Sequence, residues 1–239
     1  MIYIRGDTHG DISRFSNDCM PEQSEWDPDD KLIITGDFGF VFRGERNSLS
    51  EKNNLDMLAR KQFELLFVAG NHEGYDYLLE HYPEEIRYGA PVYRIRDNIF
   101  CLQNGYIYSI ENHTFFVMGG GYSRDKEWRL AYERSVGEKI WFSQEMPAPE
   151  EYKRAITTLQ KADLKVHYIL THTAPGTIIK KVICTDPDPH ERELNDFLEW
   201  VYRKLDFRAW YFGHLHRDLQ VNEKMIACFE TIHCIGEDV

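Results

Sequence analysis

The stretch Leu65-Leu66-Phe67-Val68-Ala69-Gly70-Asn71-His72-Glu73-Gly74 decides how the chain is read. Its apolar half has the length and composition of a buried strand, glycine stops it, and an amide and an imidazole stand just beyond the stop. The same grammar recurs. Ile2-Tyr3-Ile4-Arg5 runs into Gly6-Asp7-Thr8-His9-Gly10, and Leu32-Ile33-Ile34-Thr35 into Gly36-Asp37. Tyr168-Ile169-Leu170-Thr171 delivers His172, and Ala209-Trp210-Tyr211-Phe212 delivers Gly213-His214-Leu215-His216. Polar groups carried at the tips of apolar runs are expected to converge at the carboxyl edge of a sheet and bind metal.

Composition sets limits on that reading. A chain of 239 residues with 42% hydrophobic content buries a full core, and we expect one domain over residues 1–239. The formal net charge of −12 excludes a broad basic face for coating nucleic acid, because phosphate neutralisation is the chief source of such affinity. A small phosphorylated substrate remains compatible, since bound dications reverse the charge locally. The five cysteines (Cys19, Cys101, Cys184, Cys228, Cys234) are scattered, odd in number and without a Cys-x-x-Cys pair, which argues against a disulfide framework. With the first strand starting at Ile2 there is no room for a signal peptide, and no apolar run reaches the length of a membrane span. The expectation is a cytoplasmic protein without a membrane partner. Nothing in the composition speaks to oligomeric state.

Taken in order, residues 11–17 read as a short helix, Ser50 as the N-cap of a helix over 51–60, and 63–69 as the next strand. Strand and helix alternate to this point, the pattern of parallel pairing with helical crossovers. The aromatic loop Phe38-Gly39-Phe40-Val41-Phe42 is expected to pack locally. The runs 92–95, 99–102, 106–110 and 114–118, separated by Asp97-Asn98 and Glu111-Asn112, read as an antiparallel meander. Gly119-Gly120-Gly121 ends it as a sharp turn, and residues 123–128 read as a loop beside Tyr122. A helix over 150–162, a strand over 166–171 and a long proline-containing loop over 173–190 follow. Leu194, Phe197, Leu198, Val201, Tyr202 and Leu205 stripe a last helix, and strands over 209–212, 219–222 and 225–229 finish the chain.

Together and in this order, Asp7-x-His9, Gly36-Asp37, Gly70-Asn71-His72-Glu73, His172 in Thr171-His172-Thr173-Ala174-Pro175, and Gly213-His214-x-His216 resemble the motifs of the calcineurin-like metallophosphoesterase superfamily. The resemblance covers residues 6–216 and implies a mixed α/β fold, a four-layer αββα sandwich with a two-metal site at the carboxyl ends of its central strands. It also implies the ligands: Asp7, His9, Asp37 and His216 for one ion, and Asn71, His172, His214 and the shared Asp37 for the other. His72 would face the substrate. The remaining histidines (His81, His113, His167, His190, His233) lie in no such motif and read as structural or surface residues. Carboxylate, imidazole and amide donors suit Mn²⁺ first, with Fe, Zn or Ni as alternatives, and the absence of thiolates argues against a closed structural zinc site. Two ions about 3.5–4 Å apart would hold a bridging hydroxide for in-line attack at phosphorus. Catalysis is therefore expected to rest on Asp37, which bridges, and His72, which assists the leaving oxygen.

The phosphoprotein phosphatase branch of that superfamily has Gly-Asp-x-Val-Asp-Arg-Gly and an arginine soon after Gly-Asn-His-Glu. Here Gly36-Asp37-Phe38-Gly39-Phe40 and Gly70-Asn71-His72-Glu73-Gly74-Tyr75 stand instead, so the arginine pair that clamps a phosphate monoester is missing. Arg43, Tyr122 and Arg124 are expected to face the substrate, with Arg129, Lys180 and Lys181 as further loop cations. The reading is a hydrolase acting on phosphodiester, and less selectively monoester, bonds of a small molecule or nucleotide. The alternatives are a phosphomonoesterase or nuclease of the same fold and, in a different class, a metal-binding scaffold without catalysis.

Overall fold

The computed structural model describes residues 1–235. Along the chain come β1 (Ile2–Arg5), β2 (Lys31–Ile34), α1 (Leu49–Leu58), β3 (Glu64–Val68), α2 (Tyr75–His81), β4 (Glu84–Arg87), β5 (Ala90–Arg96), β6 (Ile99–Leu102), β7 (Ile107–Ile110) and β8 (His113–Met118). Then follow α3 (Lys126–Val136), α4 (Pro149–Lys161), β9 (Tyr168–Thr171), α5 (Gly176–Ile183), α6 (Arg192–Lys204), β10 (Ala209–Phe212), β11 (Leu219–Gln220), β12 (Met225–Ala227) and β13 (His233–Ile235). One sheet has the order β13-β1-β2-β3-β6-β5-β4, the other β11-β12-β10-β9-β8-β7. In the first, β1, β2, β3 and β6 run parallel; in the second, β8, β9, β10 and β12 do.

The apolar runs are continuous because the central strands are covered on both faces. Alternate side chains still divide between them. Ile33, Leu66 and Val68 meet Phe115, Val117 and Leu170 between the sheets. Their neighbours Leu32, Ile34, Leu65 and Phe67 pack outward against Leu55 and Leu58 of α1 and Leu78 of α2. On the far side Phe116, Met118, Ile169 and Trp210 pack against Leu159 of α4, Ile178 of α5 and Leu198 of α6. Helix, sheet, sheet, helix is the four-layer mixed α/β arrangement that the motifs implied. Phe38 and Phe40 are buried, and Phe38 stacks on Phe67 at 4.4 Å, so the aromatic loop is core. Among the described residues no helix is long and apolar enough to cross a membrane.

Several local expectations give way to tertiary constraints. Residues 11–17 form only a single 3₁₀ turn over Ile12–Phe15. Ser48, not Ser50, caps α1, its Oγ accepting the Glu51 amide at 3.3 Å, while the Glu51 carboxylate takes the amides of Phe42, Arg43 and Gly44. The segment 173–190 is not an open loop: α5 lies inside it, with Pro175 at the N-cap where proline is tolerated and Ile178 and Ile179 in the core. α3 begins within the expected loop 123–128, and α2, β4 and β13 are elements beyond those expected. The meander is two hairpins in different sheets, β5–β6 in the first and β7–β8 in the second. β6 is buried throughout and continues the parallel ladder from β3, which leaves the next pair to the other sheet.

The crossing between sheets is tied by Tyr108 of β7, whose hydroxyl donates to the Pro91 carbonyl at 2.6 Å and accepts the Gln103 amide at 2.7 Å. Tyr108→Phe strips both groups of that partner at a buried position. We expect it to lower the unfolding free energy by about 1–2 kcal/mol in urea denaturation of the metal-free protein, with divalent-ion binding unchanged. An unaltered midpoint would mean the hydroxyl does not hold the crossing.

Candidate metal centre

The strands that carry the expected ligands are neighbours: β1, β2 and β3 in one sheet, β9 and β10 in the other. Their tips turn sharply. Nine described non-glycine residues have positive φ, and four of them are expected ligands: His9 (49°), Asp37 (47°), His214 (63°) and His216 (47°). Left-handed backbone is unfavourable for such residues and concentrates where function holds it in place. Two glycines make the approach of the sheets possible. A Cβ on Gly36, which has φ of 97°, would overlap Nδ1 of His172, and one on Gly70 would overlap Oδ1 of Asp37.

Asp7, His9, Asp37 and His216 each offer a ligand atom, all within 4.8 Å of one another. His9 Nε2 and His216 Nε2 face each other at 2.9 Å, and Asp37 Oδ2 lies 3.8 Å from the former. Two imidazole nitrogens converging beside a carboxylate suit a cation. Around the other oxygen of Asp37, His172 Nε2 lies 3.3 Å from Asp37 Oδ1 and 2.9 Å from Asn71 Oδ1. The second ring nitrogen of His172 is turned to the Thr35 carbonyl at 3.1 Å, which leaves Nε2 for the centre. The His214 ring packs on His172 with centroids 4.8 Å apart, and its amide donates to both oxygens of Asp7 at 3.0 Å. The donor set therefore fits the two ions that the motifs imply.

The charges of the centre are unbalanced without a cation. Burial raises Asp7 to about 7, with Asp37 adding and His172 opposing. Burial would also raise Asp37, but the charge and hydrogen bond of His172, with His72 and His9, hold it below the ordinary carboxylate range. Burial acts against charge on His172, yet Asp37 and Asp7 hold it up to about 9. Burial lowers His9 and His214 to about 4. Protons on Asp7 and His172 thus supply positive charge that a metal ion would replace on binding.

A supporting layer escaped the sequence reading. Asn71 Nδ2 donates to Ser123 Oγ at 3.1 Å, which donates in turn to buried Glu145 at 2.6 Å, so the amide oxygen of Asn71 is turned inward. Of the glycine triplet only Gly121 stands against the ligands, next to His172, Asn71 and His214, while Gly119 and Gly120 face the Ala69 and Glu145 carbonyls. Arg129 of α3 is 3% exposed, pairs with Asp125 at 2.9 Å, and brings Nη2 to 2.8 and 3.1 Å from the ring nitrogens of His72. A guanidinium only donates, so His72 accepts. Burial, joined by Arg129 and opposed by Asp37, lowers the His72 pKa and keeps the ring neutral near pH 7. The one available signal was the i,i+4 spacing of Asp125 and Arg129.

A cleft of about 300 Å³ opens over Asp37, Asn71, His72, His214 and His216, with Tyr122 and Arg124 at its border. Arg43 is elsewhere, paired with Glu138 at 2.8 Å and lining a separate cleft with Tyr77 and Lys139. His190, expected to be structural or surface, stacks on Tyr122 at 4.8 Å beside the mouth.

Residues 1–218 match the family model described as calcineurin-like phosphoesterase. No curated protein matches the chain. Among solved structures, a candidate 5'-nucleotidase from Staphylococcus aureus in complex with alpha-ketoglutarate is similar at 15% identity and a TM-score of 0.48, over 97% of this chain and 49% of its own. A protein serine/threonine phosphatase from Saccharomyces cerevisiae, with similarity to human phosphatase PP5, is similar at 15% identity and a TM-score of 0.32, over 95% of this chain and 66% of its own. The chain thus spans about half the length of the first and about two thirds of the second. Both likenesses are too distant to bear on activity. The family model, by contrast, covers every expected ligand and all strands up to β10, and this chain belongs to the calcineurin-like phosphoesterase family.

Proposed function

We propose that the chain is a dinuclear-metal phosphoesterase that hydrolyses phosphodiester bonds, and monoester bonds less selectively, of a small phosphorylated molecule such as a nucleotide. The observation that carries this reading is Asp37. Its two oxygens point to two separate groups of donors, His9 and His216 on one side and His172 and Asn71 on the other. Asp7, His9, Asp37 and His216 would hold one ion, and Asn71, His172, His214 and Asp37 the other, with Mn²⁺ as the ion proposed for the active enzyme. When bound, such ions polarise phosphoryl oxygens and make water nucleophilic at neutral pH.

The chain's own groups do the rest. His72 lines the cleft as a neutral imidazole held by Arg129, and its remaining N–H is suited to a hydrogen bond that stabilises charge developing on the leaving oxygen. The arginine of this site is thus behind the histidine. Arg124 and Tyr122 at the border would take the remainder of the substrate. With no arginine pair at the mouth, a diester with one negative charge is favoured over a monoester dianion.

Metal-free protein reconstituted with Mn²⁺ is expected to carry two ions per chain by elemental analysis and to lose hydrolysis on chelation. Asp37→Asn should lower turnover by more than about 10²-fold, since even outer partners of metal ligands are worth 10- to 100-fold. One ion in active wild type would remove the shared role of Asp37. Absence of turnover on linear and cyclic diesters and on monoesters would move the reading to a scaffold.

His72 is tested through the leaving group. His72→Asn should slow alkyl or nucleoside esters by about 10²- to 10⁴-fold and nitrophenyl esters far less, because a nitrophenolate departs unprotonated. The measurement is the ratio of kcat/KM losses, with metal content as the control. Equal losses on both ester types would assign His72 to substrate positioning instead.

A further inference from the structure

Glu191 belongs to none of the motifs that define the centre, yet its carboxylate lies beside it. It ends the 3₁₀ turn Pro189–Glu191 that leads into α6, and it is 3% exposed. Three donors from separate segments fix it. Oε1 takes the Tyr122 amide at 3.0 Å, and Oε2 takes Thr173 Oγ1 at 3.1 Å and Asn195 Nδ2 at 3.0 Å. Oε1 also faces His214 Nε2 at 3.5 Å. A buried carboxylate is costly without a charged or strongly polarised partner, and this one is aimed at the imidazole of an expected ligand.

We propose that Glu191 is a positioning residue for the second ion, orienting His214 through Nε2 so that Nδ1 is the ligand atom. A carboxylate only accepts, so facing Nε2 it selects the tautomer with the proton there and leaves the Nδ1 lone pair free. An imidazole whose far N–H meets a carboxylate is also a stronger donor, and such partners are commonly worth 10- to 100-fold in metal affinity. The other histidine of this ion, His172, has its Nδ1 at 3.1 Å from the Thr35 carbonyl and 3.5 Å from Oδ1 of Asp7, a carboxylate that is itself an expected ligand of the first ion. The two ions should therefore differ in what sustains them. The first depends on its own ligands, while the second depends on Glu191 and, through its amide contact, on the Tyr122 segment at the cleft border. This inference rests on the dinuclear reading of the site.

The test is titration of the metal-free full chain with Mn²⁺, followed by calorimetry and by electron paramagnetic resonance of free Mn²⁺. Wild type is expected to show two binding events. Glu191→Gln should leave one unchanged and weaken the other by about 10- to 100-fold, with the thermal midpoint of the metal-free protein moved by no more than about 2 °C. Two unchanged affinities, or two that fall together, would overturn the assignment while leaving the dinuclear site standing. A single event in wild type would overturn the dinuclear reading and this inference with it. Should Glu191→Gln fail to fold, Asn195→Ser removes one of the three anchors; it should weaken the same ion by a smaller factor, and no change there would count against the proposal.

Discussion

Asp37 is a carboxylate with 1% exposure, placed where the ends of two sheets meet, and the rest of the centre answers to its charge. A lone buried carboxylate is worth several kcal/mol of destabilisation. The compensation comes from distant parts of the chain: the amide of His72 after β3 at 2.7 Å, the ring of His172 after β9 at 3.3 Å, and the ring of His9 after β1 at 3.8 Å. One charge therefore couples the register of both sheets. Gly36 and Gly70 follow from the same requirement, since any side chain at either would occupy the space that the carboxylate and His172 need.

The parts of this arrangement that were legible in the sequence are those with a local signature. A polar residue at the end of an apolar run marks a strand tip by itself, and such runs delivered all seven expected ligands together with His72. The stripe of α6 was equally plain. What escaped was decided by partners far away in sequence. α3 buries only Arg129, so it has no apolar period to read. α5 was hidden by Pro175 at its N-cap and by Pro187 and Pro189, which follow its end. Turn signals announced the hairpins of residues 92–118 but carried no information on which sheet each would join. Ser123, Glu145, Arg129 and Glu191 are ordinary polar residues until the fold places them against Asn71, His72 and His214. Arg43 is the converse, a cation close to a motif that the fold spends on Glu138.

On the proposed function, the difference from the phosphoprotein phosphatase branch is one of where positive charge resides. The motif-adjacent arginines of that branch are missing, and the buried cation here comes from α3, behind His72, clamped by Asp125 and the Asn71 carbonyl. A guanidinium in that position acts on the substrate through the imidazole. The exposed cation at the mouth is Arg124, which leaves the border of the cleft open to neutral and aromatic groups beside Tyr122.

The pairing of β1 with β13 sets a timetable for the nascent chain. Ile4 lies opposite His233, and Asp7 is held by the amide of His214. At ribosomal rates of about 5–20 residues per second, the interval between the two strands is on the order of 10–45 s. For that time β1 leaves the ribosome with one apolar edge bare, a surface that other chains can join. The four donors Asp7, His9, Asp37 and His216 are likewise not assembled until His216 has emerged. In the proposed centre, an ion could meet all four of these donors only after His216 has been made.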